Sequence, residues 1–318
     1  MQLEDYKKMG EKELIERINK AKKEKNAVIL VHNYQRLNIH QVADFLGDSF
    51  TLAQKGSETE ADMIIFCGID FMAETVKILS PEKRVIVPDK NAESTVTFMP
   101  NVEELKKLRD ENPNAKIITH IDSYASIKAE SDVICTSSNA VKIVEHYKDE
   151  KIIFCPDKNL GEYCRDLTGA DITLWNGHCS LHNEFSEGDI FIAKYEHPNC
   201  LLLAHPKSPT EVLERADFIG STSQIIQFVE DNQDLINEKA GVLIGTEVEV
   251  AKMLQKRFPN KPIFPLADHA VSEKMKLTTL AKICYAIENG AHEIEVDKEV
   301  SEKALKALDK MVELDKIS

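Results

Sequence analysis

Long apolar runs, paired cysteines and an excess of basic residues are all missing from this 318-residue sequence. No apolar run approaches the roughly 18 residues that a membrane-spanning helix needs, so we expect no membrane partner. The seven cysteines are odd in number and include no Cys-x-x-Cys pair, which argues against a disulfide framework. Acidic residues outnumber basic ones by 54 to 40 and the net charge is −14. Because contacts to phosphates need clustered cations, nucleic acid is not an expected partner.

The first 26 residues, MQLEDYKKMGEKELIERINKAKKEKN, are strongly charged. Their pattern indicates an amphipathic helix and not a secretory signal. With no disulfide pattern and no membrane span, we expect a cytoplasmic protein. The sequence contains no signal for an oligomeric state.

The cysteines fall into two classes by context. Cys67, Cys135 and Cys155 lie inside or at the ends of apolar, strand-like runs, where a thiol behaves as a small hydrophobe. Cys179 lies in WNGHCSLHNEF, between a turn-like Asn-Gly and a polar stretch. We therefore predict three buried structural cysteines and one exposed in a loop.

Strand and helix patterns alternate along the chain, and their order repeats three times. Short apolar strands separated by helices indicate parallel βαβ units with right-handed crossovers. The first unit has strands at 27–34, 62–68 and 84–89, with a helix predicted through VADFLGDSFTLAQKGS (42–57); the second runs from 115–123 to 151–157 and the third from 200–206 to 240–247.

Two coincidences support this repeat. His120 and His205 each end a strand and are each followed by Asp 12 residues later. Hydroxyl clusters at 136–138 and 221–223 then precede helices. Such clusters are often only helix caps, and a strand-end His is often structural. At the carboxyl ends of parallel strands, however, they would form a pocket for a small carboxylate or phosphate.

Six blocks make the pattern specific: VHNYQRLNIHQVADFLGDSFTLA (31–53), CGIDFMAETVKILSPEK (67–83), CTSSNAVKIVEHY (135–147), PDKNLGEY (156–163), GHCSLHNEF (177–185) and GSTSQIIQFV (220–229). In order and spacing they resemble the blocks of bacterial and archaeal quinolinate synthases over roughly residues 15–310. The resemblance implies an α/β fold of three pseudo-symmetric three-layer α/β/α domains, with short parallel sheets around a central active site. The expected domains are 1–95 with the C-terminal helices 273–318, then 96–178, then 179–272.

The resemblance also implies an activity. That family condenses iminoaspartate with dihydroxyacetone phosphate and dehydrates the product to quinolinate, the pyridine precursor of NAD. A four-iron four-sulfur cluster held by three cysteines supplies a Lewis acid for the dehydration. Positions that match family residues for substrate binding or proton transfer are His32, Tyr34, Ser49, Ser137, His205, Ser221 and Thr222.

The sequence departs from the family at the cluster. Ser94 and Ser272 occupy two of the three ligand positions, and only Cys179 remains. Serine hydroxyls are poor ligands for iron, so we do not expect a conventional cluster and leave the cofactor as none or unknown. Three further exchanges in two motifs fall near the same pocket: the family's Tyr-x-Asn is His120-Ile121-Asp122, and its His-Pro-Glu ends in Lys207. The pocket is therefore expected to be re-tuned.

Two hypotheses follow. The first is a quinolinate synthase-like enzyme, performing that reaction or a related condensation or dehydration of a small acidic metabolite through side-chain acids and bases. The second is a non-catalytic or differently metallated binder, in which Cys179 with His178, His182 or His269 holds zinc. The candidate catalytic residues are His32, Tyr34, His120, Asp122 and His205, and the candidate substrate-binding residues are Ser49, Ser137, Lys207, Ser221 and Thr222.

Overall fold

Each of the three apolar repeats forms a four-stranded parallel sheet in the computed structural model, which describes residues 1–316. Helices flank the sheets, and the central strands are built around fully buried aliphatic residues such as Ile29, Ile117 and Leu202, as expected for parallel strands covered on both faces. The predicted α/β class with short parallel sheets is confirmed. The elements in chain order are α1 (Leu3–Tyr6), α2 (Glu11–Glu24), β1 (Ala27–His32), α3 (Leu37–His40), β2 (Phe45–Gly47), α4 (Ser49–Glu58), β3 (Met63–Cys67), α5 (Asp70–Leu79), β4 (Arg84–Ile86), β5 (Val96–Thr97), α6 (Val102–Glu111), β6 (Lys116–His120), α7 (Ala125–Lys128), β7 (Val133–Cys135), α8 (Ala140–His146), β8 (Ile152–Cys155), α9 (Lys158–Thr168), β9 (Ile172–Leu174), β10 (His178–Cys179), α10 (Ser180–Asn183), α11 (Glu187–Glu196), β11 (Leu201–Ala204), α12 (Thr210–Leu213), β12 (Phe218–Ile219), α13 (Thr222–Asp231), α14 (Gln233–Glu238), β13 (Val242–Gly245), α15 (Val248–Arg257), β14 (Ile263–Pro265), a 3-10 helix (Met275–Leu277), α16 (Leu280–Asn289) and α17 (Lys298–Asp315).

The three sheets share one topology. Their strand orders are β2-β1-β3-β4, β7-β6-β8-β9 and β12-β11-β13-β14. In each, the first long strand of the repeat occupies the second position and the next strand along the chain forms the edge beside it. The threefold repeat seen in the sequence is therefore a repeat of structure.

The first compact unit contains residues 1–94, 121–125 and 273–305, and with them the first sheet. Its core packs α2 and α16 against β1 and β3, and isoleucines at 18, 29, 65 and 283 are fully buried there. The single helix predicted for the first 26 residues is divided in two, because α2 starts afresh with Gly10 in an extended conformation at its N-cap.

The second compact unit contains residues 95–120, 126–272 and the chain from Lys306 on. It holds the other two sheets and an antiparallel ribbon of β5 and β10. The division between units falls within α17. The finer division into domains ending at 95, 178 and 272 stays a prediction.

The predicted helix through residues 42–57 was wrong over its first part. Residues Phe45–Gly47 form an edge strand parallel to β1, and α4 starts only at Ser49, with the Asp48 side chain accepting from the Thr51 N–H. Three residues are too few to show a strand period, and Phe45 and Leu46 are both more than a third exposed, which blurs the apolar pattern.

One aspartate per sheet fixes the start of the central strand. Its carboxylate accepts a backbone N–H of that strand, and its own N–H donates to the carbonyl of the same strand residue. The pairs are Asp44 with Ile29 at 2.7 Å, Asp132 with Ile117 at 2.8 Å and Asp217 with Leu202 at 2.8 Å. Asp44 lies 12 residues after His32, so the His–Asp spacing noted in two repeats occurs in all three.

The end of α4 is held by a buried lysine. The ammonium group of Lys83 donates to the carbonyl oxygens of Gly56 at 2.9 Å and Ser57 at 3.3 Å, and also to that of Thr59. These carbonyls have no partner within the helix, and a cation there also complements the helix dipole.

Among residues 1–316, no helix is long and apolar enough to cross a membrane. The expectation that Cys67, Cys135 and Cys155 are packing residues is confirmed, because all three are fully buried in strands.

Candidate functional site

Three histidines occupy equivalent positions at the carboxyl ends of the central strands. His32 and His120 are the last residues of β1 and β6, and His205 directly follows β11. All three are less than 5% exposed. This edge is where ligands bind in open parallel sheets.

Three serines also occupy equivalent positions, each two residues after an edge strand. Ser49 follows β2, Ser137 follows β7 and Ser221 follows β12. Ser221 is the N-cap of α13, accepting from the Gln224 N–H at 3.3 Å while Gln224 bonds back to its N–H, and Thr222 is buried behind it. The capping interpretation is therefore confirmed for Ser221. Ser49 had been assigned by resemblance only. The helix predicted over residues 42–57 included β2, so the sequence did not indicate that Ser49 follows a strand.

In the first unit, Tyr34 and Asp122 extend this group. The Tyr34 N–H donates to His32 Nδ1 at 3.2 Å, and the two rings meet edge to face with centroids 4.6 Å apart. The Ser49 hydroxyl donates to Asp122 Oδ1 at 3.0 Å. Lys276 holds the loop by donating to the Tyr34 carbonyl. An imidazole, a phenol, a hydroxyl and a carboxyl group are thus all found in this unit.

In the second unit, His205 is the most enclosed titratable group. Its Nδ1 accepts the Lys207 N–H at 3.2 Å, and its ring stacks on His182 with centroids 4.0 Å apart and planes 17° apart. Burial lowers the pKa of His205 well below its usual value, and positive charge on the neighbouring His182, Lys207 or His120 side chain would lower it further. His205 is therefore a neutral imidazole whose remaining proton is on Nε2.

His120 and Lys207 also lie in this unit. The Nε2 atom of His120 is 3.0 Å from the hydroxyl of Ser137, so the strand-end histidine and the strand-end serine of the second repeat form a pair. Lys207 is only 3% exposed. Of the predicted residues, the second unit thus contains His120, Ser137, Cys179, His205, Lys207, Ser221, Thr222 and Ser272.

The prediction that Cys179 is exposed in a loop was wrong, because it is the second residue of strand β10, is only partly exposed and is positioned by the β5–β10 ribbon. Its N–H donates to Asp157 Oδ2 at 2.8 Å, and Asp157 also caps α9. The ribbon passes so close to the 156 carbonyl that a Cβ on Gly177 would lie 2.5 Å from that oxygen. The thiol sulfur lies 3.2 Å from His182 Nδ1, and His182 Nε2 lies 3.0 Å from the hydroxyl of Thr246.

The two serines at family ligand positions have other surroundings. Ser272 is 5% exposed, and its N–H donates at 3.3 Å to the carboxylate of Glu247, which is fully buried. Ser94 ends the first segment of the first unit and is half-buried. With Cys179 the donor set is one thiol and two hydroxyls. Neutral hydroxyls do not replace thiolates on iron, so these residues do not fit a conventional four-iron cluster.

Of the three histidines considered as zinc ligands with Cys179, one contacts the thiol. His182 contacts Cys179, whereas His178 packs against Phe98 and His269 lies 3.9 Å from Asp189. Within residues 1–316, no group of three or more His, Cys, Asp or Glu side chains is arranged to hold a metal ion.

Sequence reasoning missed Asp157 and Thr246, and it considered His182 only as a metal ligand. Asp157 and Thr246 both follow the carboxyl end of a strand, β8 and β13 respectively. The positional rule that selected the three histidines therefore also selects these two residues. It had been applied to the histidines, Asn33 and the hydroxyl clusters, but not to these two residues.

Comparisons with known proteins give one answer. Residues 16–313 match the family described as "Quinolinate synthetase A protein". The quinolinate synthase of Alkaliphilus metalliredigens is 41% identical over 307 residues, covering 96% of this chain and all of that protein. That of Caldicellulosiruptor bescii is 44% identical over 298 residues, 93% of this chain and 97% of the relative. The quinolinate synthase of Methanoregula boonei is 38% identical over 301 residues, which cover 95% of this chain and 98% of that protein.

Proposed function

The chain belongs to the quinolinate synthetase A protein family, and from this premise we propose that it is a quinolinate synthase-like enzyme acting on a small acidic or phosphorylated metabolite. The reaction is the condensation and dehydration of iminoaspartate and dihydroxyacetone phosphate to quinolinate, or a related condensation or dehydration. The relatives that carry this name align with the chain over nearly its full length.

The observation that carries the proposal is that two strand-end imidazoles make the same hydrogen bond. In both His32 and His205, Nδ1 accepts the backbone N–H two residues on. A neutral ring in this arrangement carries its proton on Nε2 and is a hydrogen-bond donor. Fixed neutral donors of this kind polarise a carbonyl or imine and stabilise the negative charge that develops on it.

Acid–base groups lie beside these donors. Tyr34 and Asp122 in the first unit, and His120 in the second, each contact a residue at a substrate-binding position or a strand-end histidine. A carboxylate that accepts from Ser49 is a general base for a carbon-bound or hydroxyl proton, and a phenol is a general acid. We assign Ser49, Ser137, Ser221, Thr222 and Lys207 to binding carboxylate or phosphate oxygens.

The two exchanged charges modify the substrate preference. Asp122 stands where the family has Asn, and Lys207 stands where the family has Glu. The first places a negative charge beside Ser49, and the second places a positive charge beside His205. We propose that these exchanges accompany the loss of iron chemistry, with the side-chain acids and bases performing the dehydration.

The decisive experiment combines an activity assay with an iron assay. Anaerobically purified protein, incubated with iminoaspartate and dihydroxyacetone phosphate, is assayed for quinolinate. We expect turnover from colourless protein without the broad absorbance near ~400 nm of thiolate-bound clusters. A brown, iron-containing sample, or activity that requires added iron and sulfide, would contradict the clusterless mechanism.

Ligand binding provides a second test that does not require turnover. A ligand that binds only the folded state at 100 times its Kd stabilises it by about 2.7 kcal/mol. We expect a raised melting temperature with dicarboxylates, dihydroxyacetone phosphate or pyridine dicarboxylates. No shift with any of the three would count against a small-acid site.

The partner is accordingly a small metabolite. We also propose a cytoplasmic location, supported by the odd number of cysteines with no Cys-x-x-Cys pair, which does not indicate a disulfide framework, and by the acidic composition.

A further inference from the structure

Cys179 is unlike the other six cysteines of the chain. Those six are buried, whereas Cys179 is partly exposed. Burial raises the pKa of Cys155 and of Cys164 to about 12, and raises that of Cys200. These buried thiols are inert toward electrophiles, because the thiolate is the reactive form and they rarely reach it.

The neighbours of Cys179 form an ordered chain of polar groups. His182, 2% exposed, lies between the Cys179 sulfur and the fully buried hydroxyl of Thr246. When His182 Nε2 donates to Thr246 Oγ1, the lone pair on Nδ1 faces the thiol at 3.2 Å. A nucleophile, a base within hydrogen-bond reach and a third group that orients the base are the signature of an activated cysteine.

Both ends of this array are fixed by surrounding structure. The stack on His205 holds the His182 ring in its plane. Asp157, 1% exposed, accepts the Cys179 N–H at 2.8 Å and thereby fixes the backbone that carries the thiol. The array is thus pre-organised, as a nucleophilic site requires.

The same array explains what one retained cysteine can do without two partner cysteines. Ser94 and Ser272 leave Cys179 outside any set of three thiolates. Its sulfur has an imidazole as hydrogen-bond partner, and this pairing favours nucleophilic chemistry.

We propose that Cys179 is a nucleophile that adds reversibly to the carbonyl or imine carbon of a small acidic substrate, with His182 as its base and Thr246 as the positioning residue. The substrate class rests on the proposed function. In the addition, a bond forms between Sγ and carbon, and the π pair of the C=O or C=N moves to oxygen or nitrogen. The thiol proton passes through His182 Nδ1 to that atom. Nothing is oxidised or reduced, and reversal releases the substrate.

The test measures alkylation of Cys179 in the full chain by iodoacetamide, followed by peptide mass spectrometry, with N-acetylcysteine as the reference thiol at the same pH. We expect Cys179 to react about tenfold faster than the reference. His182→Gln should bring the rate to within about twofold of the reference. A Cys179 rate equal to the reference, or one unchanged in His182→Gln, would overturn the proposal.

Thr246 supplies a matched pair of variants. Thr246→Val should slow alkylation about threefold, and Thr246→Ser, which keeps the hydroxyl, should restore the rate. Equal rates for the two variants would overturn its positioning role. His146→Gln, an exposed histidine at the end of α8, controls for loss of any histidine. The melting temperature of each variant shows whether it is folded.

Two further arms separate this proposal from the proposed function. Oxaloacetate or dihydroxyacetone phosphate should protect Cys179 at millimolar concentration; a lack of protection by either would overturn the substrate role of the thiol, while a melting shift with the same compounds would leave the proposed function standing. Prior anaerobic incubation with iron and sulfide should not protect Cys179. Stoichiometric iron together with full protection would show a cluster ligand and overturn the nucleophile.

Discussion

The two ends of the parallel sheets differ in how faithfully they repeat. Near the amino ends of the central strands, Asp44, Asp132 and Asp217 make the same two backbone contacts in every sheet. At the carboxyl ends the histidines and serines recur in position, and His32 and His205 share one backbone contact, but the side-chain contacts differ. His120 contacts Ser137, whereas His205 contacts His182.

This comparison separates the contacts that hold the sheet from the residues to which the proposed function assigns chemistry. A contact that only orders a strand works equally well in each copy, so all three copies keep it. The proposed function assigns different roles to the strand-end residues of the three repeats, and in keeping with this their side chains make different contacts although their backbone positions are equivalent. The difference predicts that substitutions at one end change stability and those at the other end change binding, activity or pH response.

Of the four substitutions that test this comparison, His205→Asn should have the largest effect, which is a change in how the unfolding free energy depends on pH. The folded-state pKa of His205 lies below its unfolded value near 6.5, so below that pH the unfolded chain binds the additional proton. Native stability should therefore fall as the pH drops through about 6.5, by up to about 1.4 kcal/mol per pH unit from this one group. Between pH 7.5 and 5 the variant should lose about 2 kcal/mol less than the parent protein. Urea unfolding at both pH values measures this, and identical pH dependences would refute it.

The next largest effect is expected at the other end of a sheet. Asp217→Ala should cost about 1.5 kcal/mol because it leaves the buried N–H of Leu202 without an acceptor. The ammonium group of Lys194 is 4.0 Å from the Asp217 carboxylate and both side chains are exposed, so this ion pair contributes little to the loss. Asp217→Asn keeps an oxygen acceptor and should cost clearly less. Equal losses of the unfolding free energy in the two variants would assign the effect to charge instead.

A smaller effect tests the serine that is both a cap and a candidate ligand. Ser221→Ala should lower the free energy of unfolding by about 1 kcal/mol, because the Gln224 N–H loses its acceptor. Ser221→Thr preserves the cap and should leave stability almost unchanged. If ligand-induced melting shifts fall in the Ala variant alone, the hydroxyl also binds substrate; a stability change below a few tenths of a kcal/mol in Ser221→Ala would refute the capping role.

The smallest stability change is expected at Asp122, where function should respond instead. Asp122→Asn retains an acceptor for Ser49 and should change the unfolding free energy by less than about 0.5 kcal/mol. Removing its negative charge should tighten binding of a dicarboxylate about tenfold, equivalent to about 1.4 kcal/mol. Calorimetric titration with a pyridine dicarboxylate measures this, and weaker binding by the variant would show that Asp122 recognises a donor group on the substrate.

The sequence alone predicted the threefold repeat, the strand-end histidines and the family. These features depend on local apolar periodicity and on short motifs, which are legible in one dimension. The edge strand β2 was missed because three residues, of which two are more than a third exposed, are too few to show a strand period. The third His–Asp pair, His32 with Asp44, was hidden by the same error.

The contacts of Cys179 could not be predicted from the sequence. His182 is three residues away in the chain, but Thr246 is 67 residues away and Asp157 is 22 residues away. Only the folded second unit brings these groups to one thiol. The sequence could show that Thr246 and Asp157 follow strands, but it could not show that they lie close to Cys179.

The anchor of α4 by Lys83 has a consequence for motion. The helix begins at Ser49, next to the carboxylate of Asp122, and its other end is tied by one ammonium group to three carbonyl oxygens. Helix ends normally fray, so amides in a last turn exchange with solvent sooner than those in the middle. Here the last turn of α4 should exchange its amide hydrogens slowly. Lys83→Met removes the contacts that hold this turn, so its amides should exchange faster. With only its first turn still held, the whole helix, including Ser49, should also move more.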